Sequence, residues 1–159
     1  MDVSIQITNR NGFDYVNYTG PINEEAEVHL MRLIETVGPK CVFNFRQVEY
    51  VNSCGVRAWI NFIREFENNR TVIFEECTPE IVMQINMIPS FRGKAAIKSV
   101  YGSYSCDNCS HTQMQLFESG KNLPSSPEAE MSPVACEQCG SEMELEELED
   151  EFFAFAQAS

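Results

Sequence analysis

The chain has 159 residues, with Lys and Arg numbering 11 against 24 Asp and Glu, a formal net charge of −13. A chain this acidic is repelled by nucleic-acid phosphates and by anionic lipid, so neither is an expected partner. Its 43% hydrophobic and 22% charged content is that of a folded globular protein, which excludes disorder throughout.

The charge is unevenly placed. Residues 1–105 carry 10 basic and 12 acidic residues, whereas 106–159 carry Lys121 alone against 12 acids. The length permits one domain of about 100 residues and a smaller module that a core alone does not hold together. The opening MDVSIQITNR lacks a basic-then-apolar leader pattern, and no apolar run approaches the ~20 residues of a membrane helix, so no membrane insertion and a cytoplasmic location are expected.

Val3, Ile5 and Ile7 alternate with polar residues, and Phe13, Tyr15, Val16 and Tyr18 follow Asn11-Gly12, which predicts a β-hairpin. Ala26, Leu30, Leu33, Ile34 and Val37 share a helical face ending at Gly38-Pro39, predicting a helix over about 24–37. Cys41-Val42-Phe43-Asn44-Phe45 reads as a strand buried on both faces. Val56, Trp59, Ile60, Ile63 and Phe66 give a second helix, with Ser53 at or next to its N-cap. A strand at 71–75 follows. Thr78-Pro79-Glu80 supplies the cap, the N1 proline and the first-turn acid of a third helix through about Ile88, and a last strand covers about 95–101. The order ββαβαβαβ requires helices that join parallel strands, hence an α/β class with a small mixed sheet.

The last third holds two C-x-x-C pairs, Cys106 with Cys109 and Cys136 with Cys139. In a reducing compartment four such thiolates suit a structural zinc, and a metal cross-link supplies the folding energy that a short module lacks. Iron is the less favoured occupant, and a redox pair is a further alternative. The flanking GSYSC and TQMQLF read as strands of a zinc-ribbon-like module over 104–159, with a flexible loop at 119–133 and His111 as a bystander. The acidic end, with Leu145, Leu148, Phe152 and Phe155 at helical spacing, either folds back over the ribbon or docks on a basic groove of a partner.

The segment VFNFRQVEYVNSCGVRAW resembles the signature of STAS domains, the sulfate transporter and anti-sigma factor antagonist fold, over about residues 3–101 within a domain of 1–103. YTGPIN before the first helix and TPEIVMQINMIPSF in the third-helix region belong to the same resemblance. Asn52 stands where the family usually carries aspartate, and Cys54 where it carries a second Ser or Thr. The resemblance implies a bacterial regulator that works by binding, not catalysis. Its partner would be a kinase-like anti-sigma factor or another regulatory protein, with Ser53 as the phosphorylated residue. Partner contact is expected at Asn52, Ser53, Cys54, Gly55 and Arg57. From position alone, Ser53 reads as a plain helix cap, Cys54 as a small packing residue, and His29 as a surface or boundary residue. A STAS scaffold without phosphorylation, a fixed subunit of a lipid-transport or stress-sensing complex, is the alternative role; a thiol redox protein is a further one.

Overall fold

The computed structural model describes residues 2–124, 131 and 133–157. The predicted hairpin is present as β1 (Ser4–Arg10) and β2 (Phe13–Ile22), closed by Asn11 and Gly12, both at positive φ. β3 (Lys40–Val51) and β4 (Thr71–Glu75) follow, with β5 (Ala96–Ile97) at the far edge. The strand order is β1-β2-β3-β4-β5, with β1 antiparallel to β2 and the remaining neighbours parallel. The sheet is mixed, as expected for the α/β class, and its elements follow the expected ββαβαβαβ succession along the chain.

Three helical connections link the parallel strands: α1 (Ala26–Thr36), α2 (Ser53–Phe66), and α3 (Pro79–Met87) with the short α4 (Pro89–Arg92). Because the strand order is sequential, crossovers of the usual right hand place every connecting helix on one face of the sheet. On that face Phe43 meets Trp59, Phe62 and Phe66 of α2 at ring distances of 5.2, 5.8 and 5.5 Å. Phe45 meets Phe74 at 5.0 Å, and Trp59 donates its ring N–H to the Phe91 carbonyl at 2.8 Å. Each aromatic pair adds about 0.5–1.5 kcal/mol beyond its buried area. Cys41 and Cys77 are buried in this core.

Arg70 locks two helix ends together. Its guanidinium donates to the carbonyls of Ile34 and Val37 at the end of α1 and of Phe66 at the end of α2, while stacking 4.3 Å over the Phe66 ring. These carbonyls belong to the last turns, where intrahelical donors run out.

The strand expected over about 95–101 divides at Lys98. Ala96 and Ile97 extend the first sheet, whereas β6 (Ser99–Ser105) joins a second sheet of order β7-β6-β9-β8 with β7 (Thr112–Glu118), β8 (Val134–Ala135) and β9 (Glu142–Leu145). Cys77 ties the sheets: its N–H donates to the Ser99 carbonyl at 3.1 Å, and its own carbonyl accepts from Tyr101 N–H at 2.8 Å. One hydrophobic core runs through both. Of the loop expected at 119–133, residues 125–130 and 132 lie outside the described residues. Residues 119–124 form a turn in which the Glu118 carbonyl accepts the N–H groups of Lys121, Asn122 and Leu123.

The acidic end forms α5 (Glu149–Phe152) and α6 (Ala154–Gln157). Of its four helical-spaced apolar residues, Phe152 and Phe155 are buried, together with Phe153, but Leu148 is exposed. It folds back, and beyond the ribbon it reaches the first sheet's helices. Asn86 of α3 donates to the carbonyls of Glu151 and Phe152, Arg92 of α4 donates to the carbonyl of Phe155, and Phe153 packs on Phe117 of β7 at 5.1 Å.

Candidate functional site

Two places concentrate chemistry: the start of α2 and the four cysteines. At the first, β3 delivers Val51, whose N–H is held by the Glu80 carboxylate of α3 at 2.9 Å. Asn52 follows in extended backbone, and its N–H donates to the Ile22 carbonyl at the end of β2. The Asn52 Oδ1 accepts the Gly55 N–H at 2.8 Å, and its Nδ2 donates to Glu24 at 3.2 Å. Asn52 is therefore the N-cap of α2, and Ser53 stands next to it, as its position implied; the reading of Ser53 as the plain cap is corrected, because Asn52 has the extended backbone that aims a side-chain oxygen back at the first turn.

Ser53 is the first helical residue and is exposed, as is Arg57 one turn later. Cys54 is exposed too, which corrects its expected packing role: the adjacent Gly55 is the residue facing inward. There the helix abuts the β2 end so closely that an added Cβ would lie 1.7 Å from the Ile22 carbonyl oxygen. The N–H groups of Ser53 and Cys54, in the first turn, lack intrahelical acceptors. His29 is half-buried on α1.

Glu24 was not among the sequence-derived site residues. Its carboxyl is held below the ordinary value of 4.5 by accepting hydrogen bonds, first from its own backbone N–H and then from the Asn52 amide. The only signal that could have found it is its place just after the YTGPIN turn, where Tyr18 Oη bonds the Pro21 carbonyl at 2.7 Å and Asn23 Oδ1 accepts the Glu25 N–H at 3.0 Å.

The second place is built by two hairpins. Cys106 and Cys109 occupy the turn between β6 and β7, and Cys136 and Cys139 the turn between β8 and β9. β6 pairs with β9, which sets the turns side by side. The turns repeat one geometry: Cys106 N–H donates to His111 and Cys136 N–H to Ser141, while Ser110 and Gly140 return N–H bonds to the carbonyls of Cys106 and Cys136. Ser110 and Gly140 hold matching φ angles of 65° and 79°, so the first knuckle adopts the glycine conformation without glycine. Gln113 braces the pair from β7, donating to the Ala135 carbonyl and accepting the Glu137 N–H.

The four sulfurs lie within 4.8 Å of one another, with Cys106 to Cys139 at 3.5 Å and Cys109 to Cys136 at 3.6 Å. Four sulfurs bound at ~2.3 Å to one tetrahedral ion stand about 3.8 Å apart, so this arrangement fits a metal ion. Hydrogen bonds from the Asn108 side chain and then Ser141 hold the Cys139 thiol at about 5. A backbone hydrogen bond at His111 favours ionisation of Cys109, but burial and the other three cysteines push it up to about 12. The cluster accepts one negative charge and resists another, a balance that a bound cation reverses. Neither C-x-x-C opens a helix, the placement that a thioredoxin-type redox pair uses. His111 is outside the donor set, and its buried Nε2 has no hydrogen-bond partner among the described residues.

No protein-family model matches the sequence, and no curated protein does. Among solved structures the chain is similar to the anti-sigma factor antagonist SpoIIAA in its unphosphorylated form, at 16% identity and a TM-score of 0.41, covering 60% of this chain and 86% of that one. Among the described residues no helix is long and apolar enough to cross a membrane.

Proposed function

We propose that the chain is a cytoplasmic regulatory module that acts by binding and not by catalysis. A partner protein docks on the Asn52–Arg57 end of α2, and phosphate on Ser53 releases it. The observation that carries this reading is the division of labour at the helix start. Asn52 and Gly55 are committed to the cap and to the Ile22 contact, whereas Ser53, Cys54 and Arg57 stand free at the surface. A phosphate on Ser53 would meet unfilled N–H groups and the positive end of α2, with Arg57 one turn away. The fold therefore tolerates the modified state, while about two added negative charges change what the surface accepts.

The partner class that fits the resemblance is a kinase-like anti-sigma factor, which would phosphorylate Ser53. The test combines ATP and candidate kinases from the source organism with mass spectrometry, followed by capture with the unmodified chain beside Ser53→Asp. Phosphate on Ser53, with a kinase-like partner lost in the Asp variant, supports the switch. No label on Ser53 and equal capture by both chains would leave the unphosphorylated scaffold, a reading favoured by the uncharged Asn52 in the place of the family's aspartate.

The four cysteines hold zinc in a structural role. Tetrathiolate chemistry and the paired knuckles support this choice. Bound there, zinc supplies the cross-link between the two hairpins. Metal analysis checks it: one zinc per chain is expected, and iron in natively purified protein would overturn the assignment.

A further inference from the structure

A second surface stands apart from the start of α2. Along α3, Pro79, Met83 and Met87 recur every four residues and share one face of the helix. Met83 is 46% and Met87 62% exposed, the latter among the most exposed large apolar side chains of the chain. The returning C-terminal segment runs beside this face. Glu147, Glu151 and Phe152 close it into a groove of about 190 Å³, room for one large side chain. Methionine at an exposed groove is a recurrent feature of adaptable binding surfaces, because its unbranched thioether chain repacks around different partners.

The charge around the groove identifies the occupant. Residues 142–151 contain Glu142, Glu144, Glu146, Glu147, Glu149, Asp150 and Glu151 with no basic residue, and among the described residues none of the seven is in a salt bridge. An apolar slot beside this unneutralised acidic stretch calls for an apolar anchor flanked by Lys or Arg. A second copy of the chain, with its own −13, is disfavoured by the same electrostatics. We infer that the groove between α3 and the C-terminal segment binds a basic segment of a partner protein, which seats one apolar side chain between Met83, Met87 and Phe152 and sets flanking cations against Glu147 and Glu151.

The test uses the full-length, metal-loaded chain and a fluorescein-labelled amphipathic helical peptide of leucine and lysine alone. Fluorescence anisotropy measures binding at physiological salt, and ¹³C-methyl spectra of the methionines locate it. The methyl signals of Met83 and Met87 are expected to shift while those of Met31 and Met114, exposed elsewhere, stay in place. Met83→Ser with Met87→Ser is expected to weaken binding about tenfold, and Glu147→Gln with Glu151→Gln to weaken it several-fold. Val28→Ser, which removes an apolar side chain of similar exposure from α1, is expected to leave it unchanged. Both methionines are surface residues, and the methyl spectra of the free variants verify the fold. Equal weakening by Val28→Ser, shifts confined to other methionines, or unaltered binding in the double methionine variant would each reduce the interaction to charge attraction and overturn the inference. Concentration-dependent self-association that protects Met83 and Met87 would overturn it in favour of a second copy.

Discussion

Gly55 and Ile22 are in backbone contact: a methyl group at position 55 would stand 1.7 Å from the Ile22 carbonyl oxygen, inside any allowed separation. The start of α2 is thereby pressed against the end of β2, and the obstacle is main chain that no rotamer change can clear. Gly55→Ala is expected to destabilise the protein by about 3 kcal/mol or more. Asn52→Ala, which leaves the Gly55 N–H without its acceptor, should cost about 1 kcal/mol. Ser53→Ala should fall within about 0.5 kcal/mol of the parent, because Ser53 is exposed and does not cap. Urea denaturation of the three variants ranks them, and a loss at Ser53 equal to that at Asn52 would contradict the cap assignment.

Asn52 also explains why an amide stands where the related signature has a carboxylate. Its Nδ2 donates to Glu24 at 3.2 Å, and an aspartate would instead face that carboxylate with like charge. Its own backbone N–H and then the Asn52 amide hold Glu24 below its ordinary value of 4.5 in the folded chain. A depressed folded value makes its contribution complete at neutral pH and lost as the pH falls through that value. Asn52→Asp is expected to raise the Glu24 midpoint, read from its side-chain carboxyl carbon by NMR. An unchanged midpoint would show that the Asn52 contact is absent in solution.

The seven cysteines should divide sharply in reactivity. With metal bound, Cys54 is the one thiol expected to alkylate quickly, since it alone is exposed outside the cluster. Burial and then the charge of Asp14 push Cys41 up to about 12, and burial raises Cys77. After chelation Cys106, Cys109, Cys136 and Cys139 should join Cys54, with Cys41 and Cys77 silent until global unfolding. Rapid labelling of any of the four ligands in the metal-loaded protein would argue against a closed site.

Metal removal should also loosen the second sheet before the first. Hydrogen exchange is expected to accelerate in β6, β7 and β9 while β2, β3 and β4, held by the aromatic core, keep their protection. Because Phe153 rests on Phe117 and Asn86 bonds the carbonyls of Glu151 and Phe152, faster exchange should extend to α3. Protection of β6 and β7 unchanged by chelation would show that the metal adds nothing to their stability.

Ser110 occupies the left-handed region at a φ of 65°, where a side chain costs about 1 kcal/mol. Ser110→Gly is expected to stabilise the metal-loaded protein by up to that amount, and Gly140→Ser to destabilise it by a similar amount. Thermal melts of the two variants moving in the same direction would refute the equivalence of the knuckles.

The amino-acid pattern by itself determined the element order, the cap and proline of α3, the hairpin turn at Asn11-Gly12 and the pairing of the four cysteines. Each of these is local: a period of 2 or 3.6, a turn residue, or a spacing of three along the chain. What lay out of reach depends on residues distant in sequence. The choice between Asn52 and Ser53 as the cap depends on a backbone angle fixed by the Ile22 carbonyl, and Glu24 enters the site only because β2 ends beside β3. The division of the last strand at Lys98 is decided by Cys77, which draws Ser99 and Tyr101 away from the first sheet. The final segment reads the same in sequence whether it covers a ribbon or reaches a partner. Its docking on α3 and α4 is set by the orphan carbonyls of short helices, which find Asn86 and Arg92 only when both sheets share one core.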